Sequence, residues 1–298
     1  MLSQTQIDAY DRDGFIVVEG VLSKAEVQAM RDATDRIVQG ARAVTAHTDV
    51  YDLEPSHTPE RPRVRRIKSP HKVDAVFDRV MRHEKILAIL RQLIGPAIRY
   101  DESKLNMKDP NYGSAVEWHQ DWSFYPQTNP DLCAVGVMMD DCFLENGPLL
   151  LIPGSHKGPV YDHHVDGHFA GAMDPTKCDV DFSKAVPCVG PAGSISIHHA
   201  IAIHGSALNT SNRPRRLLLY QYAAADAWPL CAVQQPTDWE AWKARILCGE
   251  VNLQEPRFVP APVRLPLPAA KRGGSIYETQ SVMKNAYFDK APASATAM

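Results

Sequence analysis

His119 and Asp121 stand one residue apart in Val116-Glu117-Trp118-His119-Gln120-Asp121-Trp122. On an extended strand, residues i and i+2 point to the same face. A neutral imidazole and a carboxylate can therefore reach one metal ion. His204 is the best candidate for a third ligand. It ends an apolar run over 200–203, and Gly205 and Ser206 after it are small, as a crowded metal centre requires. Two His and one carboxylate, with the remaining positions open, is the donor set of non-haem Fe(II) oxygenases. Taken alone, His-x-Asp is a weak motif that also suits a surface turn or a core His bonded to Asp. Arg215 follows His204 with ten residues between. At that distance the next antiparallel strand could present a guanidinium for bidentate pairing with a carboxylate. Arg213 and Arg216 compete for this role; strand alternation does not choose between Arg215 and Arg216, and only the spacing favours Arg215.

The elements that must position these residues fall into three stretches. Residues 1–96 read as mainly helical. A short helix over 5–13 is ended by Gly14, and Phe15-Ile16-Val17-Val18 is strand-like. Ser23-Lys24-Ala25-Glu26 is a capping box for a helix running to about Gly40. Residues 45–62 are polar and Pro-rich and read as a loop able to act as a lid. Arg63-Val64-Arg65-Arg66-Ile67-Lys68 suits a strand whose charged side meets solvent or an anionic ligand. Helical spacing resumes from Pro70 to Ile94, and Gly95-Pro96 stops it.

From 97 to about 225 the pattern changes to short strands, at 97–107, 115–119, 132–139, 148–152, 194–198, 200–204 and 215–222, with turns such as 109–113 between them. Many short strands punctuated by Gly and Pro argue for an all-β sandwich or barrel. Residues 156–190 form a long insertion containing His163, His164 and His168, read as loop residues. In the extension, 226–298, residues 236–250 read as a helix that covers the core or makes a homodimer contact. The end, 291–298, reads as frayed. The whole is expected to be a single domain.

Composition narrows the class. A net charge of −3 suggests neither nucleic acid nor an anionic membrane as partner. No apolar run approaches the ~20 residues of a membrane span, and the N-terminus lacks a signal-peptide pattern. Six cysteines without a C-x-x-C pair read as reduced thiols. A cytoplasmic enzyme is the default reading.

In combination and order, several motifs resemble the phytanoyl-CoA dioxygenase family of Fe(II)/2-oxoglutarate-dependent oxygenases. They are Trp118-His119-Gln120-Asp121 with Phe124-Tyr125-Pro126, Leu144-Glu145-Asn146-Gly147-Pro148-Leu149, Ile152-Pro153-Gly154-Ser155-His156-Lys157, and His204-Gly205-Ser206 through Arg215. Asp11-Arg12-Asp13-Gly14-Phe15 matches the family's opening. The resemblance spans roughly residues 5–225. It implies a double-stranded β-helix (jelly-roll) core with flanking helices, His119, Asp121 and His204 as iron ligands, and Arg215 as the clamp on the distal carboxylate of 2-oxoglutarate. It aligns Arg66, Lys104, Met138 and Ser206 with the cosubstrate side; Lys104 is open between substrate, cosubstrate and water. Trp122, Phe124, Tyr125 and, further on, Trp228 are expected to wall the substrate pocket, with ordinary core aromatics as the alternative. His198 or His199 is expected behind the ligands and not as a fourth one. The implied reaction consumes O₂ and 2-oxoglutarate, oxidises a C–H bond of a small molecule, and releases succinate and CO₂. Halogenation is disfavoured, because Asp121 occupies the place that halogenase relatives leave to a small residue. Two other readings stay open: a silent binding or sensing protein of the same fold, and a cupin-like metalloenzyme that does not use 2-oxoglutarate.

Overall fold

The computed structural model describes residues 1–110, 114–231, 238–263 and 275–288. Helix α1 (Gln4–Asp13) starts at a reciprocal Ser3–Gln6 capping box and ends at Gly14, whose φ of 84° is left-handed. Strand β1 (Phe15–Val18) and helix α2 (Lys24–Gly40, capped by Ser23 and Glu26) follow. Next come β2 (Tyr51–Leu53), β3 (Val64–Lys68), α3 (Pro70–Val73), α4 (Ala75–Met81) and α5 (Glu84–Leu93). The β-rich part runs β4 (Ile98–Lys108), β5 (Val116–His119), β6 (Leu132–Met138), β7 (Leu149–Leu151), β8 (His164–Val165), β9 (His168–Phe169), β10 (Val186–Cys188), β11 (Ile195–His199), β12 (His204–Ser206) and β13 (Arg215–Ala224). The chain then adds α6 (Trp239–Lys243), β14 (Ile246–Cys248) and α7 (Ile276–Gln280).

The major sheet has the order β1-β11-β6-β13-β4-β3-β2, with β14 on β4. The minor sheet is β10-β7-β12-β5. All pairings are antiparallel, and the two sheets make the jelly roll. Strand alternation sorts the side chains of the major sheet. On β13, Leu218, Tyr220 and Tyr222 join the helix-side core with Met30, Phe77, Met81 and Leu90. The hydroxyls of Tyr220 and Tyr222 donate to the carbonyls of Phe77 and Met81, at 2.6 and 2.8 Å, so each buried phenol is satisfied. The opposite set, Arg215, Leu217 and Leu219, faces the space between the sheets.

Four expectations change. Residues 200–203 are a buried turn and no strand: the Ala202 N–H closes onto His199 O, and the chain crosses from the major to the minor sheet, so β12 starts at His204. A crossing through the core is as apolar as a strand, which is why the run misleads. Of the expected helix over 236–250, the described residues 238–250 hold the short α6 and then β14, which pairs with β4. The stretch 45–62 carries β2, the edge strand of the major sheet. The basic strand 63–68 faces carboxylates: Arg65 pairs with Glu278 and Arg66 with Asp52. Part of the expected turn at 109–113, residues 236 and 237, and the end 291–298 lie outside the described residues. Among the described residues no helix is long and apolar enough to cross a membrane, and the cysteines are free.

Candidate active site

Cross-strand pairing brings the metal-type side chains together. His119 closes β5 and His204 opens β12, and the two are register partners. Their rings lie 4.0 Å apart between centroids. Gln120 keeps an extended backbone, so Asp121 returns to the face of His119 although the strand has ended. One ligand atom from each of His119, Asp121 and His204 lies within 4.8 Å of the others.

The tautomers suit a metal. The Nδ1–H of His119 donates to Glu117 O at 2.8 Å, and that of His204 to Ala202 O at 2.9 Å. Each Nε2 is thus left with its lone pair toward the shared point. Burial lowers the His119 pKa to about 4 and drives that of His204 well below the ordinary imidazole value. Burial alone would raise the Asp121 carboxyl, but His204, His198 and Lys104 hold it well below the usual carboxylate range. Two neutral imidazoles and one carboxylate in a dry recess fit Fe(II) chemically.

The cavity beside them is floored by Leu149, Leu217 and Leu219 and edged by Asn106, Ser206 and Arg215. Arg215 is buried, and its Nε and Nη2 donate to Gly147 O at 3.2 and 2.8 Å. Arg216 points the other way into a two-pronged pair with Asp140. Register therefore separates the two arginines where alternation alone did not.

Lys108 was missed by sequence reasoning. It is fully buried; its Nζ donates to Ser206 Oγ at 2.9 Å and to Ala207 O. Burial, and then the neighbouring Arg215, push its pKa well below the ordinary lysine value. The available signal was the every-second-residue series Lys104, Asn106, Lys108 on one face of β4. A second cavity shares Lys104, Asp121 and Ile276 with the first. Arg66, Glu102, Phe124, Tyr125, Gln221 and Thr279 also line it. Among the described residues the Lys104 ammonium has no ion-pair or hydrogen-bond partner, and it stands where the two cavities meet.

Other expected residues lie elsewhere. Met138 is packed beneath the cavity floor with Leu217 and Leu219. Trp122 turns away; its indole N–H donates to Pro262 O at 2.7 Å, and its ring lines a separate small cavity. Trp228 stacks on Trp242, 4.4 Å between centroids, outside both cavities. His163 lies in the loop before β8, as expected, and is buried.

The wall opposite the triad comes from α7 and the residues after it, also unforeseen. Ile276 and Tyr277 line the first cavity. The Glu117 carboxylate accepts the N–H groups of Tyr287 and Phe288 at 2.6 and 3.0 Å. Gln280 accepts from Glu117 N at 2.9 Å and donates to Gly171 O at 2.8 Å. The segment is strapped to β5 itself.

Comparison with known proteins gives the family and the reaction class. The sequence pattern of the phytanoyl-CoA dioxygenase family matches residues 10–217. A probable alpha-ketoglutarate-dependent hypophosphite dioxygenase of Stutzerimonas stutzeri is 35% identical over 292 residues, 97% of this chain and 100% of its own. An L-proline trans-4-hydroxylase of Streptomyces griseoviridis is 29% identical over 257 residues, 76% of this chain and 88% of its own. Among solved structures, EctD from S. alaskensis with bound Fe superposes with a TM-score of 0.64 at 25% identity, covering 75% of this chain and 77% of that one. The chain belongs to the phytanoyl-CoA dioxygenase family and is an Fe(II)- and 2-oxoglutarate-dependent dioxygenase.

Proposed function

We propose that His119, Asp121 and His204 hold the iron, that Arg215 holds 2-oxoglutarate with Lys108 behind it through Ser206, and that the substrate is a small anion gripped by Lys104. The observation that carries this reading is the convergence of three ligand atoms within 4.8 Å beside a cavity edged by the buried Arg215. With 2-oxoglutarate and O₂, the iron supplies the oxidant that converts a C–H or P–H bond to C–OH or P–OH, with release of succinate and CO₂. Arg215 places a buried cation at one end of the cavity, which suits the far carboxylate of a dicarboxylic acid, and Lys108 backs that end through its bond to the Ser206 hydroxyl. His119 and His204, kept neutral by burial, offer lone pairs at neutral pH without first losing a proton. The leucine floor excludes water from the reacting side.

The substrate side argues for a small polar molecule and against an acyl chain. Its cavity carries Arg66, Glu102, Lys104, Tyr125 and Gln221. Arg66 is already paired with Asp52, which leaves Lys104 as the cation beside Asp121. The S. stutzeri relative aligns through the C-terminal wall as well as the core, so hypophosphite is the first anion to offer. Free thiols throughout suit a reducing, cytoplasmic compartment.

The test is anaerobic titration with Fe(II) and then 2-oxoglutarate, following the visible charge-transfer band. The band is expected in wild type, absent in His119→Ala and weakened in Arg215→Ala. Succinate release with hypophosphite, L-proline and ectoine then ranks substrates, and Lys104→Gln should raise KM for the anion alone. Iron binding without the band would sink the cosubstrate assignment. Stimulation by neutral compounds only would sink the anionic one.

A further inference from the structure

His198 lies behind the triad with no hydrogen bond of its own. Alternation on β11 sends Ile195 and Ile197 into the helix-side core and His198 toward the space between the sheets. The ring is 1% exposed, and neither of its nitrogens has a hydrogen-bond partner among the described residues. A buried N–H left in that state loses its water without gaining a partner, and such groups are rare without a reason. The nearest acceptor is Asp121: His198 Nε2 stands 3.5 Å from its Oδ2. The other carboxylate oxygen, Oδ1, is 3.8 Å from Nε2 of His119 and 3.8 Å from Nε2 of His204. Asp121 therefore presents one oxygen to the two imidazoles of the triad and the other to His198.

We infer that His198 is a positioning residue for the iron centre: its Nε2–H donates to Asp121 Oδ2 and keeps that oxygen off the metal. The inference rests on the triad reading above. A carboxylate bound through both oxygens would occupy a further coordination position. With two imidazoles also bound, too few positions would remain for a chelating cosubstrate and O₂ together. Closing the gap from 3.5 Å to a normal hydrogen bond takes a shift of about half an ångström, which a side chain can make as the carboxylate turns toward a cation. His198 is thereby distinguished from a fourth ligand: the ligand atoms that lie within 4.8 Å of one another are those of His119, Asp121 and His204, while the His198 ring packs beside them, 4.4 Å from that of His204.

Two variants separate this role from packing. His198→Gln keeps an N–H at about the reach of Nε2; His198→Phe keeps a ring and removes the donor. The readouts are the anaerobic Fe(II) dissociation constant, the energy of the charge-transfer band with 2-oxoglutarate, and the melting temperature of the metal-free protein. His198→Phe is expected to bind Fe(II) about 10–100-fold more weakly, as for other partners of metal ligands, with a shifted band. Its metal-free melting temperature should be unchanged or higher, because an unpaired buried polar group is gone. His198→Gln should recover most of the affinity and the wild-type band. The inference is overturned if His198→Phe binds Fe(II) as wild type does, if both variants are equally impaired, or if His198→Phe loses iron as completely as His119→Ala. Wild-type protein that binds no Fe(II) would overturn the triad reading, and the role of His198 with it.

Discussion

His163 Nε2 accepts a hydrogen bond from the backbone N–H of Gln120 at 2.9 Å, at the residue between His119 and Asp121. Its Nδ1 faces Tyr161 O at 2.9 Å. The ring is thus held in one neutral tautomer: the proton sits on Nδ1, and the lone pair on Nε2 fixes the ligand-bearing backbone. A second proton would have to replace that accepted bond.

Acid should therefore loosen the site. Burial lowers the His163 pKa to about 3 and that of His119 to about 4. The unfolded chain takes up these protons near pH 6.5 and the folded chain does not. Stability is complete above pH 6.5 and falls as pH drops toward 4, by roughly 1.4 kcal/mol per pH unit for each such histidine. Melting temperature of the metal-free protein against pH checks this. His163→Gln, which keeps an acceptor and cannot titrate, should flatten the acid limb; an unchanged slope would remove His163 from the account.

Arg215 and Lys108 should separate in their effects. Arg215→Ala is expected to weaken 2-oxoglutarate binding about 10–100-fold, the loss of one or two hydrogen bonds to a charged group, while leaving Fe(II) affinity intact. Lys108→Met keeps the volume and removes a desolvated charge. The metal-free protein should melt at the same temperature or higher, yet bind 2-oxoglutarate about 10-fold more weakly. Calorimetry with and without cosubstrate measures both. A Lys108→Met protein with normal cosubstrate affinity would make the lysine structural.

Glu117 should act as the latch of the C-terminal wall. Glu117→Ala removes the acceptor for Tyr287 and Phe288. Limited proteolysis should then cut within 275–288 while the core stays resistant, and substrate KM should rise. Equal resistance in variant and wild type would show that other contacts hold the wall.

Gly205 leaves no room for a side chain. A Cβ there would stand 2.8 Å from the Phe288 ring and 3.0 Å from Val116 O. The ring can yield; the backbone oxygen cannot yield easily. Gly205→Ala should cost about 1–3 kcal/mol, read from the metal-free melting curve, and should displace Phe288 from Trp118, its ring neighbour at 5.1 Å.

The sequence and the structure agree best where the signal is local. The cap at Ser23, the stop at Gly14 and the strands carrying His119 and Arg215 each depend on residues within a turn or a strand's length. The choice of Arg215 over Arg216 depended on which face of β13 meets the helices, and that is set by Tyr220 and Tyr222 finding acceptors on α4. Lys108 was hidden because a buried lysine reads as a strand end next to Asp109-Pro110. Residues 200–203 misled because a crossing through the core needs the same apolar side chains as a strand. Trp228 and Trp122 are aromatic for reasons of packing, and nothing in the sequence distinguishes that from lining a cavity. Ile276 and Tyr277 were out of reach: their place depends on Glu117, some 160 residues earlier, and composition carries no trace of the pairing.

That last contact also bears on timing. The triad is complete once His204 has paired with His119, whereas the wall closes through bonds spanning 163, 170 and 171 residues. Contacts of such separation form late, after the entropy of closing the loop has been met. The recess is thus open to solvent when its ligands first assemble, and covered afterwards. Loading of the metal belongs to the open stage. Once the wall is shut, a chelator should strip the iron at a rate set by the wall's own opening, independent of chelator concentration, and much faster in Glu117→Ala.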